Sequence, residues 1–126
     1  MKIAANIAGG LLGLLFITFS VMVLLHMAPN PSFPPDSPVD HFMKAFGPTG
    51  YMTFVKIFEL TGGILVAIPK TRNLGLLVLG PIILNILAFH IFVANWNGLS
   101  PVHAFIVFLA LFLLWTERKA FAALVH

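Results

Sequence analysis

The feature that most restricts this chain is a series of long apolar runs without alternation. The first, IAGGLLGLLFITFSVMVLLHM, extends from Ile7 to Met27. The second covers Thr49 to Ile68, and the third, NLGLLVLGPIILNILAFHIFVAN, covers Asn73 to Asn95. A fourth, VHAFIVFLALFLLWT, covers Val102 to Thr116. As helices, runs of about 20 apolar residues match roughly 30 Å of hydrocarbon. In lipid only helices and closed barrels satisfy their backbone polar groups, and a barrel needs at least about eight shorter strands. Composition agrees, with 60% hydrophobic and 9% charged residues against about a quarter charged in soluble domains.

The expectation is a single all-α domain, residues 1–126, built as a transmembrane four-helix bundle. Helices are expected near 5–27, 49–68, 73–95 and 101–120, with a loop at 28–48. The fourth run is short. Its helix is expected to continue through ERKAFAAL, with Arg118 and Lys119 snorkelling to the headgroups. Ser100 and Pro101 suit its N-cap and first turn. Lys2 ahead of the first run also fits a signal peptide. The HMAPNPSFPP that follows lacks a small-x-small cleavage site, so a retained helix is expected.

Short-loop charges set the orientation. Lys2, Lys70, Arg72, Arg118 and Lys119 fall on one side of a four-span chain, while the other side carries Lys44 against Asp36 and Asp40. The positive-inside rule therefore places both termini in the cytoplasm. The 28–48 loop and the NWNGLS turn then face outward. Prolines make the start of that loop irregular, with polyproline-like stretches, and VDHFMKAF, Val39 to Phe46, suits a short interfacial helix. The net charge of +3 comes from residues flanking the apolar runs, not from a basic stripe interleaved with aromatics, so it indicates no nucleic acid. The chain has no cysteine, which excludes disulfides, thiolate chemistry and Cys-ligated clusters.

Inside the second run, FVKIFELTGG carries both signs of charge. Lys56 and Glu59 stand at i and i+3 and share a helix face. A charge in the bilayer costs a few kcal/mol or more, so that face must turn inward. Thr53 and Gly63 fall near it, and Gly62 with Gly63 permits close helix approach. From a rise of about 1.5 Å per residue, Lys56 lies about 10 Å and Glu59 about 15 Å from the outer end. Asn85 and His90, on the returning third helix, lie about 18 and 25 Å from the inner end. Glu59 is thus expected level with Asn85, and Lys56 nearer His90, in a polar network that a bend at Gly80–Pro81 extends with a freed carbonyl. Two readings stand. The four residues are glue between helices, or they form a functional cluster that moves protons or meets a quinone headgroup or small anion.

Four of the five histidines fall toward the outer side. His26 ends the first helix, His41 lies in the outer loop, and His90 and His103 lie on the third and fourth helices. Their spacing matches no compact ligand motif, so ordinary interfacial histidines stand ahead of a metal or haem site. His90, the deepest, is the best candidate for a hydrogen-bond partner or proton carrier. Gly9, Gly13 and Ser20 form a small-residue side on the first helix, and Trp96, Trp115 and Tyr51 fall where interface anchors do.

These segments carry a likeness. DHFMKAF before a proline, KIFELTGGILV at Lys56 to Val66, and LGPIILNILAFHIF at Leu79 to Phe92 resemble the DoxX family of small bacterial membrane proteins, in its DoxX-like branch. The resemblance covers most of the chain. It implies a multi-pass protein of the bacterial inner membrane, with polar positions at Lys56, Glu59, Asn85 and His90. It also implies a redox-linked role as an accessory or quinone-interacting subunit, in company with a redox partner protein or further copies of itself. Whether the chain is itself an enzyme stays open. A small-solute or proton transporter and a structural membrane subunit are the alternatives.

Overall fold

The computed structural model describes residues 2–27, 33–96 and 99–125. The expected polyproline-like segment and the tip of the NWNGLS turn lie partly outside these residues. All regular structure among them is helical. Helix α1 is Lys2–Leu24, α2 is Pro38–Phe46, α3 is Tyr51–Ala67, α4 is Arg72–Ala88, α5 is Pro101–Thr116 and α6 is Arg118–Ala122. Helix α4 runs through Pro81 and continues into a π-helical turn, Phe89–Val93.

Each helix end has a local cause. Ser37 caps α2 by accepting from the Asp40 backbone N–H, and Pro38 occupies its first turn. Asp40 and Lys44 then pair at 2.9 Å across one turn. A 3-10 turn, Gly47–Thr49, leads to Gly50, whose φ of 82° turns the chain by 83° into α3. Only glycine adopts that backbone without strain. Ser100 and His103 cap α5 reciprocally, with Pro101 at its start. The expected continuation of this helix to residue 120 does not occur. The backbone departs from helical at Glu117 (φ −104°, ψ 18°), and α6 begins afresh.

Two helical stretches, Lys2–Leu24 and Pro69–Val93, are long and apolar enough to cross a membrane. Pro38–Thr49 and Tyr51–Ala67 meet that standard only together, across the bend at Gly50, and Pro101–Thr116 is apolar but shorter. The second expected span therefore starts at Tyr51, not Thr49, and the first ends at Leu24, not at residue 27. Both faces of these helices are apolar. Leu14, Phe54, Leu84, Phe108 and Leu111 point outward, whereas Leu12, Phe16, Val66, Leu79 and Leu113 form the core. A helix hydrophobic all round suits an apolar surrounding, and the outer faces of the two candidate spans are of that kind.

The four long helices close a ring, α1 on α3, α3 on α4, α4 on α5 and α5 on α1. Glycines set the approach. A Cβ at Gly13 would lie 2.5 Å from the Gly63 carbonyl oxygen, and one at Gly75 would lie 2.4 Å from the Val66 nitrogen. One at Gly62 would meet Leu79 at 2.6 Å. Overpacking of this kind costs about 1–3 kcal/mol. Gly75→Ala should therefore lower the thermal midpoint in detergent, whereas Gly10→Ala, with nothing within 4 Å of its new Cβ, should leave it unchanged or raise it slightly. Equal midpoints for the two variants would show that the glycine contacts do not set the register.

Candidate functional site

On α3 the buried residues are Glu59, Gly62, Gly63 and Val66. This i, i+3, i+4, i+7 spacing turns one face inward. Glu59 is the charged member of that face, and Lys56 stands one turn nearer the α2 end. Lys56 Nζ lies 3.0 Å from Glu59 Oε2, with side-chain exposures of 19% and 5%. Removing one charge of a buried pair strands the other, while the pair as a whole is close to neutral for stability. Thr53, expected near this face, is exposed instead.

The pair forms the polar end of a cleft of about 420 Å³ between α2, α3, α4 and the π-turn. Asn85 lines it too and donates through Nδ2 to the Pro81 carbonyl at 2.9 Å. Phe42, Met52, Phe89 and Phe92 supply apolar walls. The sequence-based depths need a correction of about one turn. Gly62 against Leu79 and Gly75 against Val66 fix the antiparallel register of α3 and α4, which sets Asn85 level with Lys56 and Ile82 level with Glu59. On the opposite side, Gly13 against Gly63 places Ser20 about 10 Å further along, level with Lys56. Its buried hydroxyl has no partner among the described residues.

His90 does not join the expected network. Its Nδ1–H donates to the Ile86 carbonyl at 2.8 Å, and its ring packs against His103 at 4.5 Å between centroids. Five residues of helix are about 140° of rotation, so with Asn85 lining the cleft His90 faces α5, away from Lys56. His26 lies two residues beyond α1 with a left-handed φ of 58°, and His41 lies 3.9 Å from Asp36 at the surface. Among the described residues no group of three or more His, Asp or Glu is placed to hold a metal ion.

Two features escaped the sequence. Arg72, read there only as a loop cation, is 4% exposed. Its Nε donates to the Val66 carbonyl and its Nη1 to Asn6 Oδ1, both at 3.1 Å, beside Gly9. Nothing in the local sequence separates it from Lys70; its burial depends on the missing Cβ of Gly9. The second is a chain of rings around the α2 end. His103, His90, Phe89, Phe42, Phe46 and Tyr51 follow one another at centroid spacings of 4.5, 5.5, 5.0, 4.8 and 5.1 Å. The aromatic content of DHFMKAF and AFHIF was visible, but not the bend that joins them.

Comparison with protein-family models, with curated proteins and with solved structures gives no match. The site therefore stands on its geometry.

Two outcomes are expected. Lys56→Met should destabilise the protein by about 3–5 kcal/mol, while Lys56→Met with Glu59→Met should recover most of that loss, as thermal unfolding in detergent would show. At the surface, the hydrogen bond from Lys44 and that from the Asp36 backbone N–H hold the Asp40 carboxyl below its ordinary 3.8. A lowered carboxyl stabilises the fold above its ordinary value and ceases to do so as pH falls through the lowered one. The difference in α2 amide protection between wild type and Asp40→Asn should be constant between about pH 8 and 5 and shrink only below about pH 4.

Proposed function

We propose that this chain is a DoxX-like protein of the bacterial inner membrane whose cleft binds the headgroup of a quinone-type amphiphile, as an accessory subunit of a redox system. In this reading α1, the α3 segment, α4 with its π-turn, and α5 each cross the membrane, with both termini cytoplasmic and α2 along the outer surface. Helices of 16 or 17 residues, as α3 and α5 are, rise only about 24–26 Å. Snorkelling Arg118 and local thinning of the bilayer make up the remainder.

The observation that carries the reading is the cleft itself. Its volume falls within the roughly 300–1,000 Å³ of small-molecule sites, and it combines apolar walls with a few convergent polar groups. The Lys56 ammonium has N–H groups beyond the one paired with Glu59, and these suit a carbonyl oxygen. The amide of Asn85 stands at the same level. The surrounding phenylalanine and methionine side chains suit a ring and the start of an alkyl tail. Lateral access from lipid follows from the exposed Phe92 at the cleft's margin.

Transport is less well supported. Between the Lys56–Glu59 pair and Arg72, the fully buried Leu12, Val66, Leu79 and Leu113 fill the interior. Among the described residues no polar path connects the two ends through that layer.

A short-chain alkyl benzoquinone titrated into purified protein, read by tryptophan quenching, tests the proposal. Charge-assisted hydrogen bonds contribute about 1.5–3 kcal/mol, so the Lys56→Met/Glu59→Met double variant should bind at least about tenfold more weakly while remaining folded. Equal affinity in wild type and double variant would overturn the assignment. So would quinone-independent proton flux in liposomes that Glu59→Gln abolishes.

A further inference from the structure

We propose that the His90–His103 contact is a pH-sensitive latch that holds the walls of the cleft in their binding arrangement at neutral pH and lets them part on acidification. The inference rests on the cleft being a ligand site, and it adds the regulation of that site.

The hydrogen bonds assign unlike roles to the two imidazoles. His90 donates through Nδ1 to the Ile86 carbonyl, which leaves Nε2 free to take a proton without loss of that bond. His103 does the reverse. Its Nδ1 accepts from the Ser100 backbone N–H at 3.1 Å and lies 3.2 Å from Ser100 Oγ. A proton at that nitrogen breaks the reciprocal cap of α5. It also sets a cation at a helix N-terminus, where the dipole disfavours it. The rings are 4.5 Å apart, so a second charge on the pair meets the first at close range. The first proton is tolerated and the second forces the pair apart.

The ring chain transmits that separation. His90 is edge-on to Phe89 at 5.5 Å, and Phe89 is edge-on to Phe42 of α2 at 5.0 Å. Phe42 and Phe89 both line the cleft. A shift of the π-turn away from α5 therefore moves one wall of the cleft against the other. Imidazole is the side chain whose ordinary titration spans pH 5 to 8.

Other ionisable groups surround the π-turn and α5, and α1, which packs against α5, leads to His26 just beyond its end. Helix α5 brings only His103 and α4 only the distant Arg72. Helix α2 brings Asp40, His41 and Lys44, of which Asp40 and Lys44 pair with each other. Helix α3 brings Tyr51, Lys56 and Glu59 on the cleft side. The response is thus assigned by which substitution abolishes it.

The experiment has two readouts. The chain lacks cysteine, so Ala45→Cys in α2 and Val102→Cys in α5 accept spin labels whose separation is measured between pH 8 and 5.5. In parallel, affinity for the short-chain alkyl benzoquinone is measured across the same range. The expected result is a longer or broader α2–α5 distance at pH 5.5 and about fivefold or greater weakening of binding, the low end of typical coupling between linked sites. His103→Gln and His90→Gln should each remove both responses, while His41→Gln and His26→Gln keep them. A distance that changes in wild type but without quinone binding at any pH supports the latch and defeats the ligand reading. Binding with an unchanged distance and no pH dependence defeats the latch alone. A response that survives in His103→Gln and His90→Gln but vanishes in Glu59→Gln also overturns it.

Discussion

Close approach of helix backbones at glycine governs this molecule. In lipid no hydrophobic force draws apolar helices together, so packing depends on how near their backbones come. Gly13 meets Gly63, Gly62 receives Leu79, and Gly75 lies on Val66. These contacts are shape-specific, and they fix the sliding positions of α1, α3 and α4 to within one turn. Everything polar in the interior takes its depth from them. Lys56 faces the level of Asn85 and Ser20 because the glycines leave no other alignment.

The second constraint is electrostatic. A lysine and a glutamate in such an interior are tolerable as neighbours and costly apart. Their contact at 3.0 Å makes the pair nearly neutral as a unit, yet Lys56 keeps more exposure than Glu59. The asymmetry points the cation toward the cleft and the anion into the helix interface. Toward Arg72 the interior is leucine and valine without a polar break, so the pair communicates with the α2 end alone. At the far end Arg72 ties α4 to Asn6 of α1 and to the end of α3.

Much of this was legible in the chain, for physical reasons. Unbroken apolar runs specify helices, and the i, i+3 spacing of Lys56 and Glu59 specifies a shared face. Ser100, followed by proline, marks a helix start. What the chain did not reveal depends on distances between segments. The depth match assumed ideal ends and missed by a turn, because the glycine contacts and not the ends set the register. His90 stands about 140° from Asn85 on an ordinary helix, and that angle turns it toward His103 of α5 and out of the expected network. Arg72 looked like any loop cation, since its partners Asn6 and Gly9 lie more than sixty residues away in the sequence.

The π-turn at Phe89–Val93 closes with the Ala94 N–H on the Phe89 carbonyl. It amounts to one residue more than an α-helical turn needs, and each residue advances a helix by about 100°. The wide turn takes up that extra residue, so the chain beyond it keeps the direction that an ordinary helix one residue shorter would give. Loss of a single residue between 91 and 93 would relax the turn to ordinary helix and leave Phe89, His90 and the chain beyond Ala94 facing as before. A further insertion finds no slack and turns everything beyond it by about 100°, so this short stretch accepts a shortening and refuses a lengthening.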